Sequence, residues 1–456
     1  MNRIMIAGTH SGCGKTTVTC GILQALVNRK IKTSAFKCGP DYIDPIFHRK
    51  IIGINSGNLD GYFCNKDTLN YLLSKCDSDC AVIEGVMGYY DGAGKLYSSF
   101  KTAEDTDTPV IIVIDSKGMS NSIGAVMQGF LTYEQPNKIV GFIFNRLPES
   151  LVGMAKELCK KYNTEYFGRM PFDENVSIES RHLGLIINQK TVDYRQKMQL
   201  LSELAEQFID IDKILIYSQK TETLKFEMPN LRKIVNNNVK IAVAEDEAFC
   251  FLYRENIEVL ENLGCEIVKF SPLKDKSLPK EISGIIFPGG YPELYSKELS
   301  ENHNLKKEIK NKILSGIPVI AECGGFMYLH EALESKDGKF FPMIGIIKGR
   351  AFRTKKLQRF GYVKLTSNND NILCKKGESF PSHEFHYWDS TDIGSDFTAE
   401  KASRSTKYAC IHANETMYAG YPHLYFYGNI NCAMNFVIKC ESYWSKNGQN
   451  RTNKTS

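Results

Sequence analysis

Short apolar runs recur along the first half of the chain, and each is followed within a few residues by glycine or a small polar residue. These runs cover residues 3–7, 80–83, 110–114 and 139–144. A helix-like stretch begins at Lys15, directly after a glycine-rich turn, and continues to about Asn28. Continuous apolar strands that alternate with helices indicate a parallel sheet covered on both faces. The pattern therefore predicts an α/β fold for this half of the chain.

A second set of apolar runs follows a polar segment that contains Pro229 and three consecutive asparagines. These later runs cover residues 239–244, 265–270, 284–287 and 318–321, after which the pattern becomes more β-like. At about 150 residues per domain, 456 residues leave room for two or three domains. We predict a first domain at 1–220, a linker at 221–238, a second domain at 239–444 and a polar, disordered tail at 445–456.

The composition indicates a globular protein but does not indicate which reaction it catalyses. Hydrophobic residues make up 42% and charged residues 24% of the chain, as in an ordinary globular protein. The net charge of +5 fits an acidic ligand but is too weak and scattered to argue for nucleic acid. The 14 cysteines are widely spread, and neither a signal peptide nor a membrane-length apolar run is visible. We expect a cytoplasmic protein without membrane or nucleic-acid partners, whose cysteines are mostly small core residues.

The turn after the first apolar run carries a phosphate-binding pattern. Residues 8–17 read GTHSGCGKTT and lie between a predicted strand and a predicted helix. A curled glycine-rich backbone aims N–H groups at phosphate oxygens, and the helix N-terminus adds positive potential. In such a loop Lys15 would reach the β- and γ-phosphates, and the Thr16 hydroxyl would ligate Mg²⁺. We therefore expect ATP to contact Gly8, Thr9, Ser11, Gly12, Gly14, Lys15, Thr16 and Thr17.

The spacing of this loop departs from the usual GxxxxGK[ST] pattern. The leading glycine stands one residue early, at Gly8, and Gly12 compensates inside the loop. This variant resembles the loop of the dethiobiotin synthetase and partition-ATPase-like group. After a later strand, Asn145 and its neighbour Arg146 are candidates for adenine recognition, so Asn145 is added to the predicted ATP ligands.

Acidic stretches stand near several predicted strand ends: KCGPDYIDP at 37–45, NLD at 58–60 and EGVMGYYDG at 84–92. In an open α/β sheet, ligands bind where the carboxyl ends of the strands meet. Glu84 directly caps its strand, so we assign it as the Mg²⁺ partner of Thr16, with Asp44 as the second candidate. The residues expected to face the substrate are Asp41, Tyr42, Asp60 and Asp91. An aspartate in a loop forms a turn or caps a helix about as often as it binds a ligand, and this structural alternative applies to each of these residues.

A cysteine in the second half has the sequence context of a nucleophile elbow. The stretch PVIAECGGFM at residues 318–327 places Cys323 between a buried strand and a Gly-Gly turn that opens a helix. Such a strained turn exposes the sulfur, and the helix dipole favours its thiolate. Upstream, Gly289 and Gly290 can offer backbone N–H donors to an oxyanion. A thiol nucleophile also needs a base, and His423 is the candidate.

Two further histidines, His383 and His386, form an HxxH pattern and are alternative candidates to His423 for a functional role. The same pattern occurs in metal sites, but no third ligand stands in a clear frame with these two residues. We therefore do not predict a metal ion there.

Together these stretches resemble the cobyrinic acid a,c-diamide synthase family over roughly residues 3–440. The resemblance rests on the phosphate loop, GPDYIDP at 39–45, EGVMGYYDG at 84–92, SRHLGL at 180–185, AEDEAFCFLY at 244–253, GGYPE at 289–293, AECGG at 321–325 and HEFHY at 383–387. The combination is much more specific than any one motif. It implies an N-terminal P-loop domain like dethiobiotin synthetase, built on a parallel sheet, and a C-terminal class I glutamine amidotransferase-like α/β domain.

The resemblance also implies a reaction, namely the ATP- and Mg²⁺-dependent amidation of the a- and c-acetate side chains of a corrinoid. Glutamine would supply the nitrogen, with Cys323 as glutaminase nucleophile, His423 as its base and Asp91 orienting the substrate carboxylates. ATP would convert each carboxylate to an acyl phosphate, which ammonia then attacks. Class I amidotransferases usually carry a glutamate two residues after the histidine, but here that place is Tyr425. The group that orients His423 is therefore unassigned.

Several alternatives stay open at this point. The first alternative is that this chain is a close relative of that family which acts on hydrogenobyrinic acid or nickel-sirohydrochlorin. Motifs do not separate these substrates, because the same carboxylates are amidated and the ring is recognised by its shape. The cobyric acid synthase family fits the two acidic loops less well. A partition-type ATPase switch would explain the first half only, and the Cys323 elbow argues against it. The order of the amidations and the oligomeric state, a homodimer included, are not given by the sequence.

Overall fold

The computed structural model describes residues 1–92, 97–176, 191–236 and 239–452 of the chain. The chain divides into two compact units, Met1–Pro229 and Asn230–Ser456. This division falls inside residues 221–238, the segment that the sequence predicts as a linker. The SRHLGL stretch at 180–185 lies outside the described residues.

The first unit is built on a parallel sheet. Its described strands are β1 (Arg3–Gly8), β2 (Thr33–Cys38), β3 (Asn55–Leu59), β4 (Cys80–Glu84), β5 (Val110–Asp115), β6 (Ile139–Asn145) and β7 (Glu165–Met170). Its described α-helices are α1 (Lys15–Asn28), α2 (Ile43–Phe47), α3 (Lys66–Ser74), α4 (Ser99–Asp105), α5 (Ser122–Thr132), α6 (Val152–Lys161), α7 (Thr191–Phe208) and α8 (Ile211–Ser218). The strand order is β3-β2-β4-β1-β5-β6-β7, and every neighbouring pair is parallel. The predicted parallel α/β fold is confirmed.

The strands of this sheet differ in how visible they are in the sequence. β1 and β4 read RIMIAG and CAVIE and are buried at every position, as expected for strands covered on both faces. β2, β3 and β7 are not marked by continuous apolar runs, because they carry more polar residues. In β3 the Asn58 amide donates to the carbonyl oxygens of Gly39 at 2.9 Å and Asp41 at 2.7 Å. Hydrogen bonds of this kind let polar side chains occupy the interior, which an apolar pattern does not reveal.

The second unit combines a larger sheet with two smaller ones. Its described strands are β8 (Lys240–Ala244), β9 (Glu266–Phe270), β10 (Gly284–Phe287), β11 (Val319–Glu322), β12 (His330–Glu334), β13 (Phe340–Pro342), β14 (Ile347–Arg353), β15 (Arg359–Ser367), β16 (Ser379–His386), β17 (Trp388–Ser390), β18 (Phe397–Lys401), β19 (Lys407–Cys410), β20 (His412–Ala413) and β21 (Met417–Gly420). Its described α-helices are α9 (Arg254–Asn262), α10 (Ser296–Glu301), α11 (His303–Leu314), α12 (Gly324–Leu329) and α13 (Ile430–Thr452).

The larger sheet of this unit has the order β20-β21-β11-β10-β8-β9 and is parallel except for its edge strand β20. The four-stranded sheets have the orders β13-β12-β14-β17 and β16-β15-β18-β19. Helix α12, which reads GGFMYL, is buried at every position, and Tyr328 packs edge-on against Phe287 of β10. This packing fixes the turn between β11 and α12, where Cys323 lies.

The chain after residue 444 differs from the predicted disordered tail, because α13 continues to Thr452. The helix is anchored by a buried face that includes Cys432, Phe436 and Cys440, at a spacing of four residues. Residues 445–452 contain no proline, so the helix propagates beyond its anchored part despite Gly448. Among the helices that the structure describes, none combines the length and the apolar character needed to cross a membrane.

The Asn58 hydrogen bonds yield a stability prediction for the first unit. Replacing Asn58 with alanine leaves the carbonyl oxygens of Gly39 and Asp41 without these donors in a buried place. The Gly39 oxygen keeps the backbone N–H of Asp41 as a donor at 3.1 Å, so only the Asp41 oxygen is left unsatisfied. We expect the free energy of unfolding to fall by about 1–3 kcal/mol, the cost of one unsatisfied buried group. Urea unfolding of the full chain measures the change. The control is Asn121→Ala on the surface, which should shift it by less than about 0.5 kcal/mol; equal effects would contradict the prediction.

Candidate active sites

The predicted phosphate loop curls between the end of β1 and the start of α1. Gly14, directly before the first helical residue, has a φ of 96°, a conformation that glycine adopts without strain. A Cβ at Gly14 would stand 2.1 Å from Nδ2 of Asn145, so the close approach also requires glycine. Lys15 is buried, and its Nζ donates to the carbonyl oxygen of His10 at 3.0 Å. The ammonium group therefore lies inside the curl of the loop.

The remaining predicted loop ligands surround this lysine in sequence. Gly8 ends β1, Ser11 and Gly12 are exposed, and Thr9, Thr16 and Thr17 are half-buried. The loop is braced from outside, because the backbone N–H of Tyr89 donates to the carbonyl oxygen of Gly8 at 2.8 Å. The acidic segment after β4 therefore packs against the phosphate loop, as expected from its position after a central strand.

Asn145 lies beside the phosphate loop, but its side chain contacts the loop backbone. Its Nδ2 donates to the carbonyl oxygen of Cys13 at 3.0 Å. Its neighbour Arg146 forms an ion pair with Asp115. Both side chains thus have structural partners, and their role in adenine recognition stays a prediction.

A group of four polar side chains lies at the carboxyl ends of β2 and β4. The Thr16 hydroxyl donates to Oε1 of Glu84 at 2.6 Å. The Lys37 ammonium is 2.7 Å from the same Oε1 and 2.6 Å from Oδ2 of Asp44. Lys37, Glu84 and Asp44 are all buried. The predicted association of Thr16, Glu84 and Asp44 therefore appears in the structure, with Lys37 as an additional member.

The charges in this group depend on one another. Burial alone would lower the pKa of Lys37, but Asp44 and Glu84 raise it well above its ordinary value. Burial likewise works against ionised Asp44, yet Lys37 brings the pKa of Asp44 below its ordinary value. Burial raises the pKa of Glu84, and Lys37 opposes that rise. The ammonium of Lys37 thus lowers the pKa of both neighbouring carboxylates against the effect of burial and favours their ionised forms.

The same group has the chemistry that Mg²⁺ prefers. Mg²⁺ in nucleotide sites uses one or two carboxylates and a hydroxyl, and completes its shell with phosphate oxygens and water. Oε2 of Glu84 is buried and has no hydrogen-bond partner among the described residues. Groups of three or more acidic, cysteine or histidine side chains that could hold a metal are absent from the described parts of the chain. The residues present fit a nucleotide-bound ion and not a protein-only metal cage.

The carboxylates that the sequence assigns to the substrate each make a local backbone bond. Oδ1 of Asp41 accepts from the backbone N–H of Ile43 at 2.8 Å, and Oδ1 of Asp60 accepts from that of Tyr62 at 2.8 Å. Oδ2 of Asp91, which is exposed, accepts from the backbone N–H of Gly88 at 2.9 Å. These bonds shape the loops at the carboxyl ends of the strands. Tyr42 is half-buried beside Asp41, at the start of α2.

Cys323 occupies a strained turn between β11 and α12. Its φ is 48° and its ψ is −103°, an uncommon conformation for a residue with a side chain. The Cys323 side chain forms a hydrogen bond with His423, which raises the pKa of that imidazole. The predicted nucleophile and base are therefore in contact.

His423 is held by several groups at once. Its backbone N–H donates to the carbonyl oxygen of His383 at 2.8 Å, and its carbonyl oxygen accepts from the Ser382 hydroxyl at 2.6 Å. On the ring, Nδ1 lies 3.5 Å from Oε2 of Glu322. Burial alone would lower the pKa of His423, but its interactions with Cys323 and Glu322 raise it to about 10.

Gly289 and Gly290 lie close to this pair. A Cβ at Gly289 would stand 2.6 Å from Cε1 of His423 and 3.4 Å from Cβ of Cys323. The backbone nitrogen of Gly290 is 3.0 Å from the point where a Cβ on Gly324 would stand. The absence of a side chain at Gly289 thus lets the backbone lie against His423 and Cys323, while the donor role of Gly289 and Gly290 stays a prediction.

The other histidine pair does not form a metal site. His383 and His386 are three positions apart on β16, so their side chains point to opposite faces of the strand. The His386 ring stacks on Tyr421 with centroids 3.8 Å apart, and its Nδ1 bonds the carbonyl oxygen of Trp388 at 2.6 Å. His383 contributes its backbone to the placement of His423.

Two residues at these sites escaped sequence reasoning, namely Lys37 and Glu322. Both stand inside the segments that carry the motifs, but each contacts a partner far away along the chain. A signal did exist for each of them. Lys37 stands in the buried strand β2, and Glu322 ends the otherwise apolar strand β11. A charged residue in a buried strand needs a partner, and this points to a site.

Comparison with known proteins agrees with this geometry in both units. Residues 4–186 match the family described as the CobQ/CobB/MinD/ParA nucleotide binding domain. Residues 240–430 match the CobB/CobQ-like glutamine amidotransferase domain. A nucleotide-binding domain and a glutamine amidotransferase domain in one chain define a carbon–nitrogen ligase that takes its nitrogen from glutamine.

The chain belongs to the cobyrinate a,c-diamide synthase family. It is 37% identical to the cobyrinate a,c-diamide synthase of Clostridium acetobutylicum over 96% of this chain and 100% of that one. It is 37% identical to the protein of that name from Caldanaerobacter subterraneus over 97% and 99% of the two chains. The corresponding Clostridium tetani protein is 38% identical over 94% and 98%.

The buried ion group predicts a pH-dependent loss of stability in Lys37→Met. Glu84 and Asp44 would lose their cation, and breaking a buried ion pair in this way costs about 3–5 kcal/mol. We expect that loss near neutral pH. The orphaned carboxylates would then bind protons more tightly in the folded than in the unfolded chain. The deficit against the unchanged protein should therefore shrink as the pH falls towards about 4. Urea unfolding at several pH values measures it.

A matched control for Lys37→Met is Lys32→Met, which removes a lysine whose ion pair with Asp77 is exposed. Exposed pairs contribute about 0–1 kcal/mol, so this variant should unfold almost as the unchanged protein does. The prediction would be contradicted if Lys37→Met lost no more stability than Lys32→Met, or if its loss of stability did not change with pH. Either result would show that Lys37, Glu84 and Asp44 are not charged together in the folded protein.

The glycine beside the imidazole predicts a selective loss of glutamine hydrolysis. In Gly289→Ala the new methyl group must displace the His423 ring, and a displacement of about 1 Å in a catalytic group costs on the order of 100-fold in rate. Glutamate release should fall by about this factor, while amidation with free ammonia continues. Gly129→Ala is the control, because a Cβ there meets open space. Unchanged glutamate release in Gly289→Ala would contradict the prediction.

Proposed function

We propose that this enzyme amidates the a- and c-carboxylates of cobyrinic acid, using ATP, glutamine or free ammonia, and acyl phosphate intermediates. The observation that carries the proposal is the presence in one chain of a phosphate loop beside buried carboxylates and of the Cys323–His423 pair. A carboxylate resists attack by ammonia, so a ligase needs one site that activates the acceptor and another that releases nitrogen. The names of the relatives, which specify cobyrinate, support this acceptor.

The phosphate loop supports the activation step. An oxygen of the acceptor carboxylate attacks the γ-phosphorus of ATP, the bond to the β–γ bridging oxygen breaks, and ADP leaves. Lys15 lies inside the loop and offers positive charge to the β- and γ-phosphates, while backbone N–H groups of residues 8–17 hold their oxygens. Asn145 braces the loop at Cys13 in this scheme, since its amide donates there.

The metal role rests on Thr16, Glu84 and Asp44. When bound, Mg²⁺ supplies neutralising charge to the phosphate oxygens as charge redistributes during transfer. The Thr16 hydroxyl and the unbonded Oε2 of Glu84 would hold the ion, with Asp44 beside them. Lys37 contacts both carboxylates and favours their ionised forms, which are the forms that bind a cation.

The second site supports nitrogen release. The Cys323 thiolate attacks the side-chain amide carbon of glutamine, and His423 donates a proton to the departing ammonia. The resulting thioester is hydrolysed by water, which returns the thiol and releases glutamate. Ammonia then attacks the acyl phosphate carbon, and inorganic phosphate leaves as the amide forms. Backbone N–H groups at Gly289 and Gly290 are suited to stabilise the oxyanion of each tetrahedral intermediate.

The acceptor side rests on the loops that carry Asp41, Tyr42, Asp60 and Asp91. These loops follow β2, β3 and β4, at the same edge of the sheet as the phosphate loop. Substrates of open α/β sheets bind at this edge, which supports the assignment. Asp41 and Asp91 each accept backbone N–H groups through one carboxylate oxygen, and the second oxygen of each is suited to a substrate group or to water.

The test is incubation with ATP, Mg²⁺, cobyrinic acid and either glutamine or ammonia, followed by mass measurement. Two successive mass changes are expected, each equal to replacement of a hydroxyl by an amino group. In Cys323→Ala we expect glutamine-dependent amidation to disappear, because no thioester forms, while ammonia-dependent amidation is retained. Hydrogenobyrinic acid and nickel-sirohydrochlorin serve as competing acceptors.

Three outcomes would overturn parts of this proposal. Diamide formation on another tetrapyrrole, but not on cobyrinic acid, would reject the acceptor. Loss of activity with ammonia in Cys323→Ala would reject the separation into two sites. ATP turnover that ignores every acceptor and both nitrogen sources would reject the ligase reaction itself.

A further inference from the structure

The imidazole of a Cys–His pair needs a partner at its second ring nitrogen. Such a partner fixes the tautomer and the ring orientation, and stabilises the positive charge that forms when the histidine takes a proton. The position two residues after His423 carries Tyr425, which cannot supply a carboxylate. The partner must therefore come from elsewhere in the fold.

The structure places one carboxylate at that nitrogen. Glu322 is the last residue of β11 and directly precedes Cys323. Its Oε2 lies 3.5 Å from Nδ1 of His423, and the side chains of both residues are almost fully buried. Cys323 contacts the same imidazole. The ring thus has the thiol and a carboxylate as neighbours.

The other contacts of Glu322 hold it in this position. Its Oε1 accepts from the backbone N–H of Leu424 at 3.0 Å, so the carboxylate is tied to the segment that carries His423. β11 also pairs with β21 in parallel, with Glu322 opposite Gly420. The two ends of the Glu322–His423 contact are therefore fixed by backbone structure, and neither depends on a flexible surface side chain.

We propose that Glu322 is the positioning acid of the glutaminase site, which orients His423 through Nδ1 and stabilises its protonated form. The inference rests on the proposed glutaminase function of Cys323 and His423. In this arrangement the acid directly precedes the nucleophile Cys323 in sequence, whereas a class I amidotransferase usually carries it two residues after the histidine. The carboxylate of Glu322 and the thiol of Cys323 therefore both lie at the end of β11.

The electrostatics of the site agree with this role. Burial disfavours a charged imidazole, yet the interactions with Cys323 and Glu322 raise the pKa of His423 to about 10. Further titratable groups near the ring, among the described residues, include His383, His386 and Glu384. Burial lowers the pKa of both of those histidines to about 3, so they stay neutral beside His423 at neutral pH.

A purely structural role is the competing explanation, because Glu322 also accepts from the backbone of Leu424. Glu322→Gln separates the two roles. The amide oxygen of glutamine can still accept from Leu424, whereas the negative charge beside Nδ1 is removed. Glu301→Gln makes the same chemical change at an exposed position of the same unit and serves as the control.

The experiment measures glutamate release by the full-length protein over a range of glutamine concentrations. For Glu322→Gln we expect kcat to fall by about 100-fold or more, with KM changed by less than about 3-fold, because the lost interaction acts on the imidazole and not on bound glutamine. Ammonia-dependent amidation should stay as in the unchanged protein, which shows that the variant is folded. Glu301→Gln should match the unchanged protein in both assays.

A second measurement addresses the ring directly. The rate of Cys323 alkylation by iodoacetamide, followed against pH, reports the thiolate that the imidazolium stabilises. In Glu322→Gln the rise in rate should move to higher pH, because the imidazolium has lost its carboxylate. A structural role alone would leave this profile unmoved.

The outcomes distinguish failure of the positioning role of Glu322 from failure of the glutaminase function. If Glu322→Gln hydrolyses glutamine as fast as the unchanged protein and keeps its alkylation profile, the positioning role is wrong and the glutaminase function stands. If the unchanged protein releases no glutamate, the proposed function itself is wrong. If Glu322→Gln also loses ammonia-dependent activity, the alkylation profile decides, and an unmoved profile overturns the inference.

Discussion

The nucleotide site depends on the buried ammonium of Lys37. Two carboxylates, Glu84 and Asp44, lie within 2.7 Å of it, and both are almost fully shielded from water. Without a cation between them, neighbouring buried carboxylates take up protons instead of remaining charged. Thr16 donates to Glu84, so the same charge balance fixes the first turn of α1 against the end of β4. One interaction thus joins the phosphate loop, two strand ends and the acidic loops into a single arrangement.

The amidotransferase unit solves a similar problem with different side chains. β4 ends at buried Glu84, and β11 ends at buried Glu322. In each unit the carboxylate at the strand end has a buried basic side chain as its neighbour. This side chain is Lys37 in the first unit and His423 in the second. The carboxyl end of a parallel strand suits this use, because loops and helix N-termini converge there and reactive groups can be held on rigid backbone.

Sequence reasoning found the parts of these sites that depend on local pattern. The loop around Lys15 and the elbow at Cys323 are encoded in consecutive residues, and an apolar run predicts β4 before Glu84. The roles of Lys37 and Glu322 do not follow from local sequence, because each depends on a contact with a residue far away along the chain. Lys37, for example, contacts Glu84, which lies 47 positions later. Polar strands are not marked by apolar runs for a similar reason, since the hydrogen bonds that allow their burial come from distant segments.

The backbone at Cys323 argues that its thiol has a function. A φ of 48° with a ψ of −103° lies outside the left-handed region in which residues with side chains usually take positive φ. Such a conformation costs about 1–3 kcal/mol, and glycine would avoid most of that cost. A cysteine used only as a small core residue has no reason to occupy this position. The strain is understandable if the sulfur must face a buried imidazole, as a glutaminase requires and a nucleotide switch does not.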